Sequence, residues 1–596
     1  MTTVLPPAPA PPTALPPPGG GGLSRARLNL SRLRSGPWLL FWLVIVAILV
    51  LPIVLFLLVA FSPHLLGQGS AWFTLQGFRD AFAGTLLRGT LNSLVVGVAA
   101  AALATALGAG VAWSVLRTNV VGRRWWAASM FALLLAPSYL IALGWERLLE
   151  PAGVLDVMGV PATGLRNLFY GPVGVIVVLS VKGVPFAYLA LSGALRGLGE
   201  EFEAAARVHG GGRAAAGRIV LALLAPACWS AFAIVFAESV SDFGVAATLA
   251  NDAHYPVATF TLYNAIDSFP VQFPVAASVG WVLMGMAGLA LLAQTRALRG
   301  RSYRVLGGRS RPARRHTLSP PTQVVSIAAL LGLSVIGLGV PSFGALSASV
   351  IDGLGSLLAS HRLTLSNYTR VLQSPALRDP LLFSAELAFL TATLTAVLGV
   401  IAARLLSARG TRITGRILDL LLLTAVALPG IVFAAGYIFT YNLPLTNRLG
   451  VHLYGTSSLL LLGYLATALP ATSRVLLGSV SQVQESLREA GRVHGAGMVG
   501  SWLRTVLPLL ARPILAAWVL TFAATLLELP VSQLLYPPGK PPVSVGITKA
   551  LANYDYGGGT AMEVLAILFA LLVVAVAWAL FRVLTPAGWR RIGATG

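Results

Sequence analysis

Of 596 residues only one, Cys228, is cysteine, which excludes an intrachain disulfide and any metal site built on several thiolates. Charge is scarce as well. Asp, Glu, Lys and Arg make up 10% of the chain, where a soluble globular protein carries about 25%. Acids are the rarer sign, 20 against 42 Lys and Arg. No G-x-x-x-x-G-K-[ST] phosphate loop is present; the single Gly-Lys pair, Gly539-Lys540, runs into Pro541. Ser, Cys, His and acids form no recognisable nucleophile–base arrangement and no ligand spacing for a metal. No catalytic residue and no metal ligand is therefore assigned, and the chain is not read as an enzyme.

What fills the chain instead is apolar. Hydrophobic residues account for 56% of it and mean hydropathy is +0.80. Apolar stretches of about 20 residues, each able to cross a hydrocarbon core of about 30 Å, recur near 39–61, 90–115, 126–145, 171–194, 219–238 and 275–295. A second set lies near 323–342, 382–403, 418–438, 458–473, 505–527 and 564–581. The expected fold is an all-α integral membrane protein with about twelve spans and lipid as its surroundings. The net charge of +22 does not call for nucleic acid. With the N-terminus in the cytoplasm, most Lys and Arg fall on cytoplasmic loops and tails, as the positive-inside bias requires. Both termini then lie in the cytoplasm. Residues 1–34, opening on a Pro- and Gly-rich stretch, read as a disordered tail. The run that follows is too long for a cleaved signal sequence and reads as a retained first span.

The most basic stretch, residues 296–322, is rich in Arg, Gly, Pro and Ser and reads as a cytoplasmic linker between two halves, 35–295 and 323–585, with a short tail at 586–596. The halves share landmarks. "NVVGRRWWAASMFALLLAPSYL" (119–140) parallels "TRITGRILDLLLLTAVALPGIV" (411–432), each span interrupted by a proline, Pro137 or Pro429. "KGVPFAYLALSGAL" (182–195) parallels "TALPATSRVLLGSV" (467–480). Six spans is an even number, so both halves share one orientation. Repeated halves that rock about a central path are a transporter signature.

One further repeat sits after the fourth span of each half. "GEEFEAAARVHGGG" (199–212) and "ESLREAGRVHGAG" (485–497) both run acid, small residues, Arg-Val-His-Gly. Glu and Ala favour a helix start, and Gly210 or Gly495 can take the left-handed conformation that stops it. Two short helices bent at a glycine would then protrude into the cytoplasm. His209 and His494 lie in different halves without partners at ligand spacing, so they read as surface residues.

This pattern resembles the EAA loop of ABC-importer permeases: Glu-Ala-Ala, three residues, Gly, nine residues, Ile-x-Leu-Pro. The second copy, about 481–506, carries Glu489-Ala490-Gly491, Arg492, Gly495 and then Val506-Leu507-Pro508. The first, about 196–220, carries Glu203, Ala205, Ala206, Arg207 and Gly210, with Ala204 where the family has its glutamate and Ala222 near its proline. The resemblance covers about residues 35–585 and implies two tandem six-helix type I (MetI-like) permease halves in the cell membrane. It also implies two ATPase subunits that bind ATP and Mg, one under each loop, and an extracytoplasmic solute-binding protein. No cofactor is expected in this chain itself.

Charges within spans cost about 2.5–3.5 kcal/mol each at the bilayer centre, which makes them either candidates for the path or snorkelling and helix-end groups. Lys182, Glu238, Asp242, Glu386 and Glu528 are such residues, with Glu238 and Glu528 in matching places of the two halves. The segments 238–266 and 526–551 resemble those of iron(III) permeases, which makes ferric iron the expected cargo. Thiamine, phosphonate and polyamine permeases of the same family remain alternatives. An ion-gradient-driven secondary transporter is the alternative from another class; "RTNVVGRRWW" (117–126) has a faint likeness to a loop of such carriers, but that reading leaves the paired loops unexplained.

Overall fold

Proline and glycine decide where the helices break and how closely they cross. The computed structural model describes residues 36–198, 208, 213–298, 315–355, 362–407, 412–484, 486–487, 490, 493, 495 and 497–584. The two terminal tails and most of the linker lie outside them. Among the described residues there is no β-strand, only two isolated bridges. Ten helices are long and apolar enough to cross a membrane, or twelve when each of two bent helix pairs is one span. The chain falls into two units, residues 1–45 and 46–596. The described part of the first is helix α1, Gly36–Ile45. Everything below concerns the second.

Its first half comprises α2 (Leu51–Val59), α3 (Gly84–Arg117), α4 (Arg123–Leu135), α5 (Ser138–Leu149), α6 (Pro172–Gly197), α7 (Arg213–Ser241), α8 (Ala258–Asp267) and α9 (Phe273–Leu298). The second half repeats that order. It has α10 (Pro320–Ser334), α11 (Val340–Val350), α12 (Pro375–Ser407), α13 (Arg412–Ala427), α14 (Gly430–Tyr441), α15 (Ser457–Gln482), α16 (Leu507–Leu526), α17 (Pro530–Leu535), α18 (Val543–Ala552) and α19 (Tyr556–Leu584). Pro137 and Pro429 break the spans they interrupt: α4 meets α5 at 97° and α13 meets α14 at 107°. A proline has no N–H and clashes with the carbonyl one turn before it, so the sequence reading of these two positions is borne out as a sharp bend.

The repeat extends to single hydrogen bonds. Ser93 Oγ accepts from Ala258 N at 2.8 Å, and Ser384 Oγ from Val543 N at 2.7 Å. In each half a long helix thereby caps a short one. The long helices also cross the fourth span at a glycine: a Cβ on Gly108 would meet Ala187 Cβ at 2.6 Å, and one on Gly399 would meet Thr472 Cγ2 at 3.2 Å.

The halves hold each other through a swapped contact. α2 of the first half packs on α14 of the second, and α11 of the second on α5 of the first. Each of these leading helices carries a proline preceded by one π-helical turn, Val46–Val50 before Pro52 and Val335–Gly339 before Pro341. The proline withdraws a donor, and the carbonyls freed in the turn are taken by aromatic side chains of the opposite half. Tyr437 Oη donates to Ile48 O at 2.8 Å and Tyr441 Oη to Ala47 O at 3.0 Å. In the other pair Trp145 Nε1 donates to Ile336 O at 3.2 Å. Glycine lets the backbones touch. A Cβ on Gly144 would lie 2.4 Å from Pro341 O, and one on Gly436 2.7 Å from Pro52 O.

The end of the linker is tied down too: His316 N donates to Arg117 O at 2.8 Å and Asn119 N to His316 O at 3.2 Å.

Gly144→Val and Gly436→Val are expected to destabilise the chain by about 1–3 kcal/mol each, the range for overfilling a packed contact. Gly110→Val, which enters open space, should stay within about 0.5 kcal/mol of wild type. Unfolding of the detergent-purified protein checks this.

Candidate translocation site and coupling loops

A span broken inside a membrane exposes carbonyls at one end and N–H groups at the other, and no water is there to satisfy them. In the first half Lys182 takes the carbonyl end: its Nζ donates to Leu134 O at 2.8 Å and Ala136 O at 2.7 Å. A cation at a helix C-terminus is also favoured by the helix dipole. Lys182 is thus a cap of α4. Its counterpart, Thr467, turns back on its own helix, bonding Gly463 O and Tyr464 O.

The acids Asp242 and Glu528 do the converse job just past the ends of α7 and α16. Asp242 Oδ1 accepts from Val245 N at 2.8 Å. Glu528 accepts from Val531 N at 2.8 Å, from Ser532 N at 3.0 Å and from the Ser532 hydroxyl at 3.0 Å. Their backbone carbonyls accept from Thr259 and Ser544 hydroxyls in the same register. Asp242, rather than Glu238, is therefore the counterpart of Glu528. Glu238 corresponds in register to Ala524, and both are exposed. Glu238 is nonetheless within electrostatic reach of Lys182 and Asp242. Glu386 is exposed on α12 beside Phe389 and Leu390, away from these groups.

The spans drawn from hydropathy at 126–145 and 564–581 stop short of a second polar cluster. The helices run further, through Glu146, Arg147 and Glu150 on α5 and Glu563 on α19. Glu146 is 1% exposed, Glu563 2% and Arg147 4%. Arg147 Nη1 lies 2.9 Å from Glu150 Oε2, its Nη2 3.9 Å from Glu146 Oε2, and its guanidinium 4.5 Å over the Tyr556 ring of the other half. Burial raises the nearby Asp252 carboxyl, at the end of the short helical segment 244–252 before α8, above its usual range, and Arg147 opposes that rise. The clue in the sequence was the charged string Trp-Glu-Arg-Leu-Leu-Glu closing an apolar run.

On the opposite face, the fourth spans α6 and α15 lead into the repeated loops. Arg117, buried at 2%, donates to Leu195 O at 3.2 Å and Leu198 O at 2.6 Å, and so anchors the last turn before the first loop. Glu203, Ala205, Ala206, Arg207 and Gly210 lie outside the described residues, as do Glu489, Gly491, Arg492 and both histidines. Of the rest, Val208 and Val493 are helical and 83% and 84% exposed, and Ala490 is helical and exposed. Gly495 has φ +83° with open space around it, the left-handed turn expected of it.

Residues 395–588 match the family described as the binding-protein-dependent transport system inner membrane component. The chain is 24% identical over 428 residues to the ferric transport system permease protein FbpB of Actinobacillus pleuropneumoniae, covering 69% of this chain and 60% of that one. It is 24% identical over 432 residues to a putative ferric transport system permease protein of Haemophilus influenzae, covering 69% and 65%. A probable molybdenum ABC transporter permease of Haloferax volcanii is 28% identical over 208 residues, 35% of this chain and 74% of that one. The chain thus spans less than two thirds of either ferric relative. These matches are to inner-membrane permeases of ABC importers, and among them the chain resembles the iron(III) permeases, as the sequence reading expected.

Glu528→Ala should lower stability by about 1–3 kcal/mol, the range for removing a charged cap from buried N–H groups. Glu386→Ala should stay within about 0.5 kcal/mol of wild type. Thermal unfolding of the two purified variants separates the structural acid from the surface one.

Proposed function

We propose that this chain is the translocation subunit of an ATP-driven, solute-binding-protein-dependent importer, and that its cargo is ferric iron. The observation that carries the reading is the likeness to two ferric transport permeases over 69% of the chain, together with a twofold repeat ending in paired loops. The path runs between the halves. Both termini lie in the cytoplasm, and a solute-binding protein delivers cargo to the opposite face.

ATP and Mg belong to two separate ATPase subunits, one under each loop, and this chain holds neither. Glu203, Ala205, Ala206, Arg207 and Gly210 form one docking elbow; Glu489, Ala490, Gly491, Arg492 and Gly495 form the other. Closure of the ATPase pair moves the elbows together and turns the halves about their swapped contacts. Such a shift requires contacts that differ between the two states. The charges inside the helices favour a cationic cargo over an oxyanion such as molybdate: Lys182 is committed to carbonyls, whereas Glu238 is exposed.

Copurification of an ATPase subunit with the chain, followed by an ATP hydrolysis and iron uptake assay, tests the reading. Glu489→Ala and Gly495→Val are expected to cut ATP-dependent uptake at least tenfold, a coupling loss of about 1.4 kcal/mol or more, with the chain still present in the membrane. If no ATPase copurifies and uptake collapses with the proton gradient instead, the chain is a secondary transporter and the reading fails.

A further inference from the structure

The pseudo-symmetry supplies an internal control for the buried charges on α5. At the matching register of α14 stand Ile438, Phe439 and Asn442 in place of Glu146, Arg147 and Glu150, and Ser278 of α9 matches Glu563 of α19. There Phe439 packs against Phe56 at 6.3 Å and Phe273 at 5.1 Å between ring centroids. The same corner of the fold is therefore filled by aromatic rings in one half and by ions in the other. Packing alone does not need the ions, since an apolar replacement of a buried ion pair is often as stable or more so.

The ions do not balance either. Three buried glutamates share one guanidinium, and Asp252 is also within its reach. Glu146 Oε1, Glu150 Oε1 and Glu563 Oε2 have no hydrogen-bond partner, nor has Nε of Arg147. Among the described residues no three acids or histidines converge closely enough to ligate a metal as they stand; the guanidinium lies at ion-pair distance from Glu150 and Glu146 and within electrostatic reach of Glu563 and Asp252. A separate group continues the line inward. The Tyr139 hydroxyl, at 2% exposure, is unpartnered and lies within electrostatic reach of both Glu563 and Glu528. Carboxylates and a phenol thus run from the end of α5 farthest from the coupling loops to the broken-helix caps.

We propose that this corner is a cation-binding station at the intake end of the path, and that Arg147 is its tethered occupant, filling it until cargo displaces the guanidinium. The oxygen donors around it, Glu146, Glu150, Glu563 and Asp252, suit a hard, multiply charged cation. Arg147 keeps the buried carboxylates compensated when no cargo is present, which is what an empty acidic site in an apolar setting could not sustain. Cargo leaving the station then meets Tyr139 and Glu528. The proposal rests on reading the chain as a translocation subunit for a cation. Its test uses this chain alone, so a missing ATPase partner would leave the result untouched.

The experiment is Tb3+ binding to the full chain in nanodiscs of uncharged lipid, read by luminescence sensitised through neighbouring Tyr and Trp. Arg147→Gln vacates the station and is expected to tighten Tb3+ binding at least tenfold. Adding Glu150→Gln or Glu563→Gln should return it to the wild-type value. A gain that survives both, or no gain with Arg147→Gln, overturns the proposal. Should Arg147→Gln fail to fold, the Glu150→Gln and Glu563→Gln chains decide: each must weaken Tb3+ binding at least threefold against wild type, and unchanged binding overturns it.

Discussion

A helix broken within a membrane must have its backbone groups answered by the protein, because lipid answers none. Much of the polar chemistry in this chain follows from that requirement. Pro137 and Pro429 break two spans, and Lys182, Asp242 and Glu528 then cap free backbone ends at or beside the breaks. Pro52 and Pro341 free carbonyls in two leading helices, and Tyr437, Tyr441 and Trp145 take them from the opposite half. The second set of repairs is also the bond between the halves. A local cost of proline has become the means of assembly.

Symmetry separates obligation from use. Where both halves make the same bond, as at Ser93 and Ser384 or at Asp242 and Glu528, the fold demands it, and a functional reading of the residue needs something more. Where the halves differ, the fold is indifferent. Lys182 facing Thr467 in register, Glu238 facing Ala524, and the Glu-Arg-Glu cluster facing Phe439 and its rings are three such places among the described residues. On the proposed function, the path is shared by the halves, and these differences are where one cargo would be told from another.

The sequence made the spans, their tandem arrangement and the two interrupting prolines legible, because hydropathy and Pro are strong signals over windows of about 20 residues. It also pointed to Gly495 as a left-handed stop, which the backbone adopts. Finer placement failed for a physical reason. Counting along an apolar run does not show where a helix ends, and α7 ends at Ser241. Asp242, read as part of the fifth span, stands instead in the break and takes the pairing with Glu528 that had been given to Glu238. Likewise the third span was drawn to 145 and the twelfth from 564, each a residue short of a buried glutamate. Glu386 looked intramembrane by sequence, but only the packed helices show that it faces outward.

The crossed contacts bear on why the two halves share one chain. Were the molecule assembled from two copies of a single half, each corner would be alike, either both ionic or both aromatic. Tethering two diverged halves, with the linker's end strapped at His316 to the loop after α3, guarantees that every molecule carries one corner of each kind. Covalent linkage here fixes a composition: it makes an unequal pair obligatory, and lets one side remain mechanical while the other is free to become chemical.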